Sequence, residues 1–186
     1  MIHIYFGDGK GKTSAAIGLA VRAAGAGRKV AILFFDKGGD HPEQSGGEPQ
    51  EVYSERRILR SLPNIAIYSF GLQRFFPGQP FRHGMTEEDL KEARRGYDLA
   101  SKITGGKSYS VIILDEILGL VGAGALREEE LLFLMELSRR PPEKELVLTG
   151  RVDSRSLIEE ADLVTEMRKV KHYFDSGKAA RKGIEY

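Results

Sequence analysis

Along the chain, short apolar runs alternate with longer amphipathic stretches, in the repeating order strand, loop, helix. Residues 2–6 (IHIYF) form an apolar run that ends in glycines. Residues 13–26 are Ala-rich, with small side chains on nearly every face, as in a helix pressed against a sheet. Residues 29–35 (KVAILFF) predict a second strand, and 64–70 (NIAIYSF) a third, whose alternation places it nearer an edge. A helix is expected over 87–103, with Thr86 and Asp89 spaced as a capping box and Leu90, Ala93, Tyr97 and Ala100 on one face. Residues 109–114 contain the unbroken run Val111-Ile112-Ile113-Leu114, which suits a central parallel strand covered on both sides. A helix over 128–138 is stopped by Pro141-Pro142. Residues 145–149 (ELVLT) and 162–167 (DLVTEM) predict two further strands around a helix capped by Asp153 or Ser154. The expectation is one α/β domain over 1–186, a mostly parallel sheet with helices on both faces.

Two segments break the alternation. Residues 36–51, rich in Gly, Pro and charge, read as a long mobile loop. The tail 168–186 carries Arg168, Lys169, Lys171, Lys178, Arg181 and Lys182 against only Asp175 and Glu185. Structureless stretches of this length are usually functional or disordered.

Composition then removes several classes of function. The 28 Lys and Arg nearly cancel the 27 Asp and Glu, so charge makes no case for a nucleic-acid or membrane partner. No run approaches the roughly 18 apolar residues of a membrane span, and residues 1–4 lack the features of a secretory signal, so the cytoplasm is the expected location. With no cysteine there is no disulfide, thiolate nucleophile or cysteine-ligated cluster. The four histidines, at 3, 41, 83 and 172, include no pair at the helical ligand spacing, which argues against structural zinc.

The chemistry concentrates where the first strand meets the first helix. Gly7-Asp8-Gly9-Lys10-Gly11-Lys12-Thr13-Ser14 is a phosphate-binding loop: glycines turn successive N–H groups inward, and the helix N-terminus adds its positive dipole end. Lys12 supplies a mobile ammonium to the outer phosphates, and the Thr13 hydroxyl is placed to ligate Mg²⁺. One departure is that Phe6 stands where the eight-residue pattern begins with glycine, so the loop is a variant. A second signature lies at the end of the apolar run, where Asp115 and Glu116 occupy the place at which such proteins hold Mg²⁺ and its waters. Together these predict a RecA-like P-loop nucleotide-binding fold with ATP as ligand. A dinucleotide fold is disfavoured, because the glycine spacing is wrong and no ribose-binding acid ends the second strand.

With those residues placed, the chain resembles the ATP:corrinoid adenosyltransferases, the cob(I)alamin adenosyltransferases of the P-loop type. The resemblance runs through the 7–14 loop, Phe35-Asp36-Lys37-Gly38, Ile113-Leu114-Asp115-Glu116, Leu148-Thr149-Gly150-Arg151 and residues 161–167 (ADLVTEM). The closing stretch 170–177 (VKHYFDSG) and the final KGIEY are its most diagnostic part. The resemblance implies transfer of the 5′-deoxyadenosyl group of ATP to cobalt(I), with release of triphosphate, from a nucleotide bound in reversed orientation. Lys12, Thr13 and Glu116 are then the expected catalytic residues, with Thr13, Asp115 and Glu116 as metal ligands. Phe75 and Phe76 stand in the family's loop that displaces the corrinoid's lower axial ligand, although the usual second aromatic is Trp and this chain has none. Simple packing beneath the loop is the alternative for this pair. The resemblance also implies a homodimer. Since this cysteine-free chain cannot supply electrons, an external reductant such as a reduced flavoprotein is expected. Family members often carry a helix before the first strand; here the sequence begins on the strand, so the site is expected either to be more open or to be closed by 36–51.

Two other readings compete. A P-loop kinase or NTPase would act on the terminal phosphate of ATP, with Arg151 as its arginine. A nucleotide switch or RecA-like nucleic-acid module would need a basic stripe that the composition lacks.

Overall fold

A strand that is apolar at both parities must be covered on both faces, and two such strands lie side by side within the sheet, away from its edges. The computed structural model describes residues 1–35, 37–38, 53–72, 82, 84–140, 142, 144–151 and 154–186. Its strands are β1 (Ile2–Phe6), β2 (Val30–Phe34), β3 (Ile65–Ser69), β4 (Val111–Asp115), β5 (Glu145–Gly150) and β6 (Leu163–Glu166). They pair entirely in parallel, in the order β3-β2-β4-β5-β1-β6. Every residue of β2 and β4 is buried, whereas β3 is half-buried at one edge, as its alternation predicts.

The helices are α1 (Lys12–Gly25), α2 (Ser54–Ser61), α3 (Glu87–Gly105), α4 (Ile117–Gly122), α5 (Glu128–Arg139) and α6 (Arg155–Glu160). Residue parity divides the core between them. Val30, Ile32, Phe34, Val111 and Ile113 pack with Ala16, Ala20 and Ala23 of α1 and Leu59 of α2. Ala31, Leu33, Ile112 and Leu114 pack instead with α3, α4, α5 and Leu157 of α6. The sheet thus carries helices on both faces. No helix among the described residues is long and apolar enough to cross a membrane.

Three local results refine the sequence reading. The capping box of α3 is present, with Thr86 Oγ1 accepting from Asp89 N–H and Asp89 accepting from Thr86 N–H at 2.8 Å. Arg82 grips Asp89 through two bonds of 2.7 and 2.8 Å and buries it. Leu90 is exposed rather than on the core face, unlike Ala93, Tyr97 and Ala100, because the buried positions Ala93, Gly96, Ala100 and Ile103 centre that face about 100° away from it. The cap of α6 is Ser154, whose hydroxyl accepts from Leu157 N–H; Asp153 lies outside the described residues. Helices α2 and α4 are additions to the expected elements.

Gly96 on α3 lies against the stacked rings of Phe35 and Phe70, whose centroids are 5.5 Å apart. A Cβ there would come within 2.5 Å of Phe35 and 2.9 Å of Phe70. Gly96→Val is accordingly expected to destabilise the chain by about 3 kcal/mol, the upper part of the range for an overpacked core. Urea unfolding would measure this, and unchanged stability would mean that α3 is free to move off the sheet.

Candidate phosphate and metal site

The phosphate loop leaves β1 and turns directly into α1. Gly7 and Gly11 have φ of 112° and 118°, conformations that disfavour any side chain. Gly9 N–H donates to Met167 O at 2.6 Å, and Met167 N–H donates to Phe6 O at 2.7 Å. A Cβ at Gly7 or at Gly9 would lie 2.5 Å from Met167 O, so the chain leaving β6 presses on the loop at both glycines. Phe6, where the usual pattern has glycine, is half-buried against the core. The close approach falls one residue later, which accounts for the displaced first glycine.

Within the loop the side chains divide. Lys12 is buried, and its ammonium donates to Gly7 O and Gly9 O at 2.8 and 2.9 Å, inside the curve of the loop. Burial lowers its pKa from the ordinary lysine value. Asp8 and Lys10 turn outward to the C-terminal tail. Asp8 Oδ1 accepts from Lys169 N–H, while Lys10 Nζ donates to Tyr173 OH and Glu185 Oε1, each at 2.7 Å. Arg181, with Lys10 and Tyr173, holds the Glu185 carboxyl well below the usual range. Ser14 is exposed on the first turn of α1. Of the eight loop residues named from sequence, Lys12 and Thr13 therefore point their side chains into the site, and Asp8 and Lys10 do not.

The acids meet the loop across an intervening strand. β5 separates β1 from β4, and Thr149 on β5 holds the acid-bearing end of β4. Its hydroxyl donates to Asp115 Oδ1 at 2.7 Å and accepts from Glu116 N–H at 2.9 Å. The other oxygen of Asp115, Oδ2, accepts from Thr13 Oγ1 at 3.1 Å and from Lys37 Nζ at 2.5 Å. Lys37 Nζ also donates to Thr13 Oγ1 at 2.7 Å. Glu116 has φ of 64°, a left-handed conformation that side chains rarely adopt and that concentrates at functional sites. That turn ends β4 and starts α4. Burial first, and then the Asp115 charge, raise the Glu116 pKa, opposed by Lys37, Lys12 and Arg151. Burial opposes the charge on Lys37, but Asp115 and Glu116 outweigh it and raise its pKa.

A hard divalent cation fits this donor set. Thr13 Oγ1 and Asp115 Oδ2 already converge on one cationic atom, the Lys37 ammonium, with Glu116 close by. Among the described residues no group of three or more His, Cys, Asp and Glu could hold a metal unaided. Mg²⁺ in general is typically held by one or two carboxylates together with substrate phosphates.

Sequence reasoning assigned no role to Lys37 or Thr149. The available signal was a polar residue near the end of an apolar run, in Phe35-Asp36-Lys37 and in Leu148-Thr149, both within stretches that carry the family resemblance. Arg151 follows β5, is exposed, and lies within electrostatic reach of Lys12 and Glu116.

Comparison with known families decides which reaction class this loop serves. The family model described as "ATP:corrinoid adenosyltransferase BtuR/CobO/CobP" matches residues 1–186. The chain belongs to this family. A corrinoid adenosyltransferase of Escherichia coli (strain K12) is 33% identical over 186 residues, which is all of this chain and 85% of the relative. That of Pseudomonas aeruginosa is 31% identical over 183 residues, 98% of this chain and 82% of the relative. That of Salmonella typhimurium is 30% identical over the whole chain and 85% of the relative. The kinase and NTPase reading is not favoured by these matches. Phe75 and Phe76, the expected corrinoid contacts of this adenosyltransferase family member, lie outside the described residues, as does most of 36–51.

Proposed function

We propose that the chain transfers the 5′-deoxyadenosyl group of ATP to the cobalt(I) of a reduced corrinoid, releasing inorganic triphosphate, in adenosylcobalamin synthesis or salvage. The observation that carries this reading is the Lys12 loop facing the Thr13–Asp115 pair in a chain matched end to end by the adenosyltransferase family. Cobalt(I) supplies the electron pair that forms the cobalt–carbon bond. The ribose C5′–O bond breaks, and its electrons leave on the triphosphate. No protein base is needed, so the chain's task is to hold the carbon in line and stabilise the departing charge. Lys12 and the free N–H groups of the first turn of α1 face that charge. Bound Mg²⁺, held by Thr13, Asp115 and Glu116, would add a second positive centre. Cobalt(I) is supplied by an external reductant, of the reduced-flavoprotein kind, and the active form is a cytoplasmic homodimer.

The test is incubation with ATP, Mg²⁺ and chemically reduced cobalamin. The expected products are a light-sensitive cobalt–carbon compound and triphosphate; ADP without that compound would overturn the reading. Glu116→Gln is expected to lower turnover, with part of the loss recovered as Mg²⁺ is raised. No recovery across the titration would mean that Glu116 acts by shaping the turn instead. On the corrinoid side, replacing Phe75 and Phe76 together with Ala is expected to damage cobalt(II)-dependent activity far more than activity with pre-reduced cobalt(I). The reasoning is that removing the axial donor eases reduction and leaves the later attack unchanged. Equal losses in both assays, with a lowered melting temperature, would assign the pair to packing.

A further inference from the structure

Lys37 makes two hydrogen bonds that the proposed reaction leaves unexplained, and both are with oxygens read above as metal ligands. Its ammonium lies 2.5 Å from Asp115 Oδ2 and 2.7 Å from Thr13 Oγ1. Thr13 donates its proton to Asp115 and offers its lone pair to Lys37. A metal ion ligated by Thr13 and Asp115 would sit on the same pair of oxygens that the ammonium bridges. Ammonium and metal therefore compete for one position, and two cations at such a separation repel strongly wherever water is scarce.

The backbone beneath Lys37 is held firmly. Buried Arg56 donates to Lys37 O at 3.3 Å and to Gly38 O at 3.0 Å, and its guanidinium stacks on Phe34 and Tyr53 at 4.8 and 4.7 Å. The flexible four-carbon stem of Lys37 is left as the moving part. Its anchor restricts the ammonium to the surroundings of Thr13 and Asp115, next to the first turn of α1. Lys12 occupies the other side of the loop, on Gly7 O and Gly9 O, so the two lysines have separate stations.

We propose that Lys37 is an exchangeable counter-cation of this site. In the nucleotide-free chain its ammonium holds Thr13 and Asp115 together; when metal and nucleotide bind, it yields those oxygens to the metal and moves onto the triphosphate. Its ammonium offsets the charge of Asp115 in the empty site, and joins the metal and Lys12 on the polyanion in the filled one. The inference rests on the metal reading given above, and it makes Lys37 a phosphate-binding residue of the same reaction.

The experiment uses Mn²⁺, followed by its retention with the protein in equilibrium dialysis, with inorganic tripolyphosphate as the second ligand. Nucleotide-free wild type is expected to bind Mn²⁺ weakly, and to bind it tightly once tripolyphosphate is present. Lys37→Met is expected to bind Mn²⁺ about tenfold more tightly without tripolyphosphate, and to bind tripolyphosphate at saturating Mn²⁺ about tenfold more weakly. Mn²⁺ should also raise the melting temperature of nucleotide-free Lys37→Met and leave that of wild type unchanged. Unchanged affinities in Lys37→Met, with normal ternary binding in wild type, would overturn the role of Lys37 alone. If tripolyphosphate binds wild type but Mn²⁺ never does, the metal reading and the exchange fall together. Should Lys37→Met not fold, the wild-type titration still decides, because Mn²⁺ affinity equal with and without tripolyphosphate would overturn the exchange.

Discussion

Lys12→Ala is expected to abolish measurable ATP binding and adenosyl transfer while the chain stays folded. Lys12 Nζ sits inside the curve of the loop on Gly7 O and Gly9 O, the position from which a short swing reaches phosphate oxygens. Each charge-assisted hydrogen bond to phosphate is worth about 1.5–3 kcal/mol, so removing two of them lowers affinity by roughly two to four orders of magnitude. The cost to folding is small by comparison. The two carbonyls lose a donor, but the chain is also relieved of a charge that burial already disfavours. The melting temperature should therefore move by only a few degrees, at about 2–4 °C per kcal/mol for a chain of this size. Calorimetric titration with Mg·ATP beside a thermal melt checks both halves. Wild-type affinity would remove Lys12 from the site, and a collapse of the melt would make it a structural brace of the loop.

The parts of the fold visible in the sequence are those whose physics is local. β2 and β4 announce themselves because a strand covered on both faces must be apolar at both parities, and KVAILFF and VIILD are. The cap of α3 is legible because its partners, Thr86 and Asp89, are three residues apart. Helix α2 is hidden for the opposite reason. Its sequence SERRILRS buries Arg56 and Leu59, and Arg56 is accommodated by aromatic faces and by carbonyls that no periodicity reveals. Helix α4, ILGLVG, is only six residues long and has neither a polar face nor a side-chain cap, so nothing in its own pattern marks it as a helix. Leu90 departs from the face its spacing predicts because the buried face is centred on Ala93, Gly96, Ala100 and Ile103, which leaves Leu90 at its rim.

The site divides along the same line. Gly7 to Thr13 and the pair Asp115-Glu116 are readable as motifs, each contiguous and each flanked by the element its chemistry requires. Lys37 and Thr149 stand in stretches that carry the family resemblance, but no role is readable for them there, since their partners lie far away in sequence: Asp115 is 78 residues from Lys37 and 34 from Thr149. A single polar residue at or near a strand end carries no chemistry of its own. It gains meaning only when the strand order, with β5 between β1 and β4, brings the three strand ends together. The bonds of Asp8 and Lys10 to the tail are equally invisible, because they join the two ends of the chain.

Asp115→Ala is expected to be the most damaging single change at the acid side, for stability as well as activity. Asp115 is almost fully buried and accepts from Thr149, Thr13 and Lys37, so it is the common partner of β5, α1 and the segment following β2. Its removal leaves the Lys37 ammonium, only 16% exposed, without its carboxylate. Breaking one half of a buried ion pair costs about 3–5 kcal/mol, more than the roughly 1 kcal/mol of a neutral hydroxyl bond such as that from Thr149. The melting temperature should fall by on the order of 10 °C. A double variant separates the unpaired charge from simple loss of packing. If the stranded ammonium dominates, adding Lys37→Met to Asp115→Ala should restore part of the missing stability, since no buried cation then lacks a partner. If packing dominates, the second change should add to the first or leave it unaltered. Adenosyl transfer should stay abolished in both variants, because neither retains the carboxylate that Thr13 faces. Recovered stability without recovered transfer is the expected result; a double variant no more stable than Asp115→Ala would show that the pair is not held together by its charge.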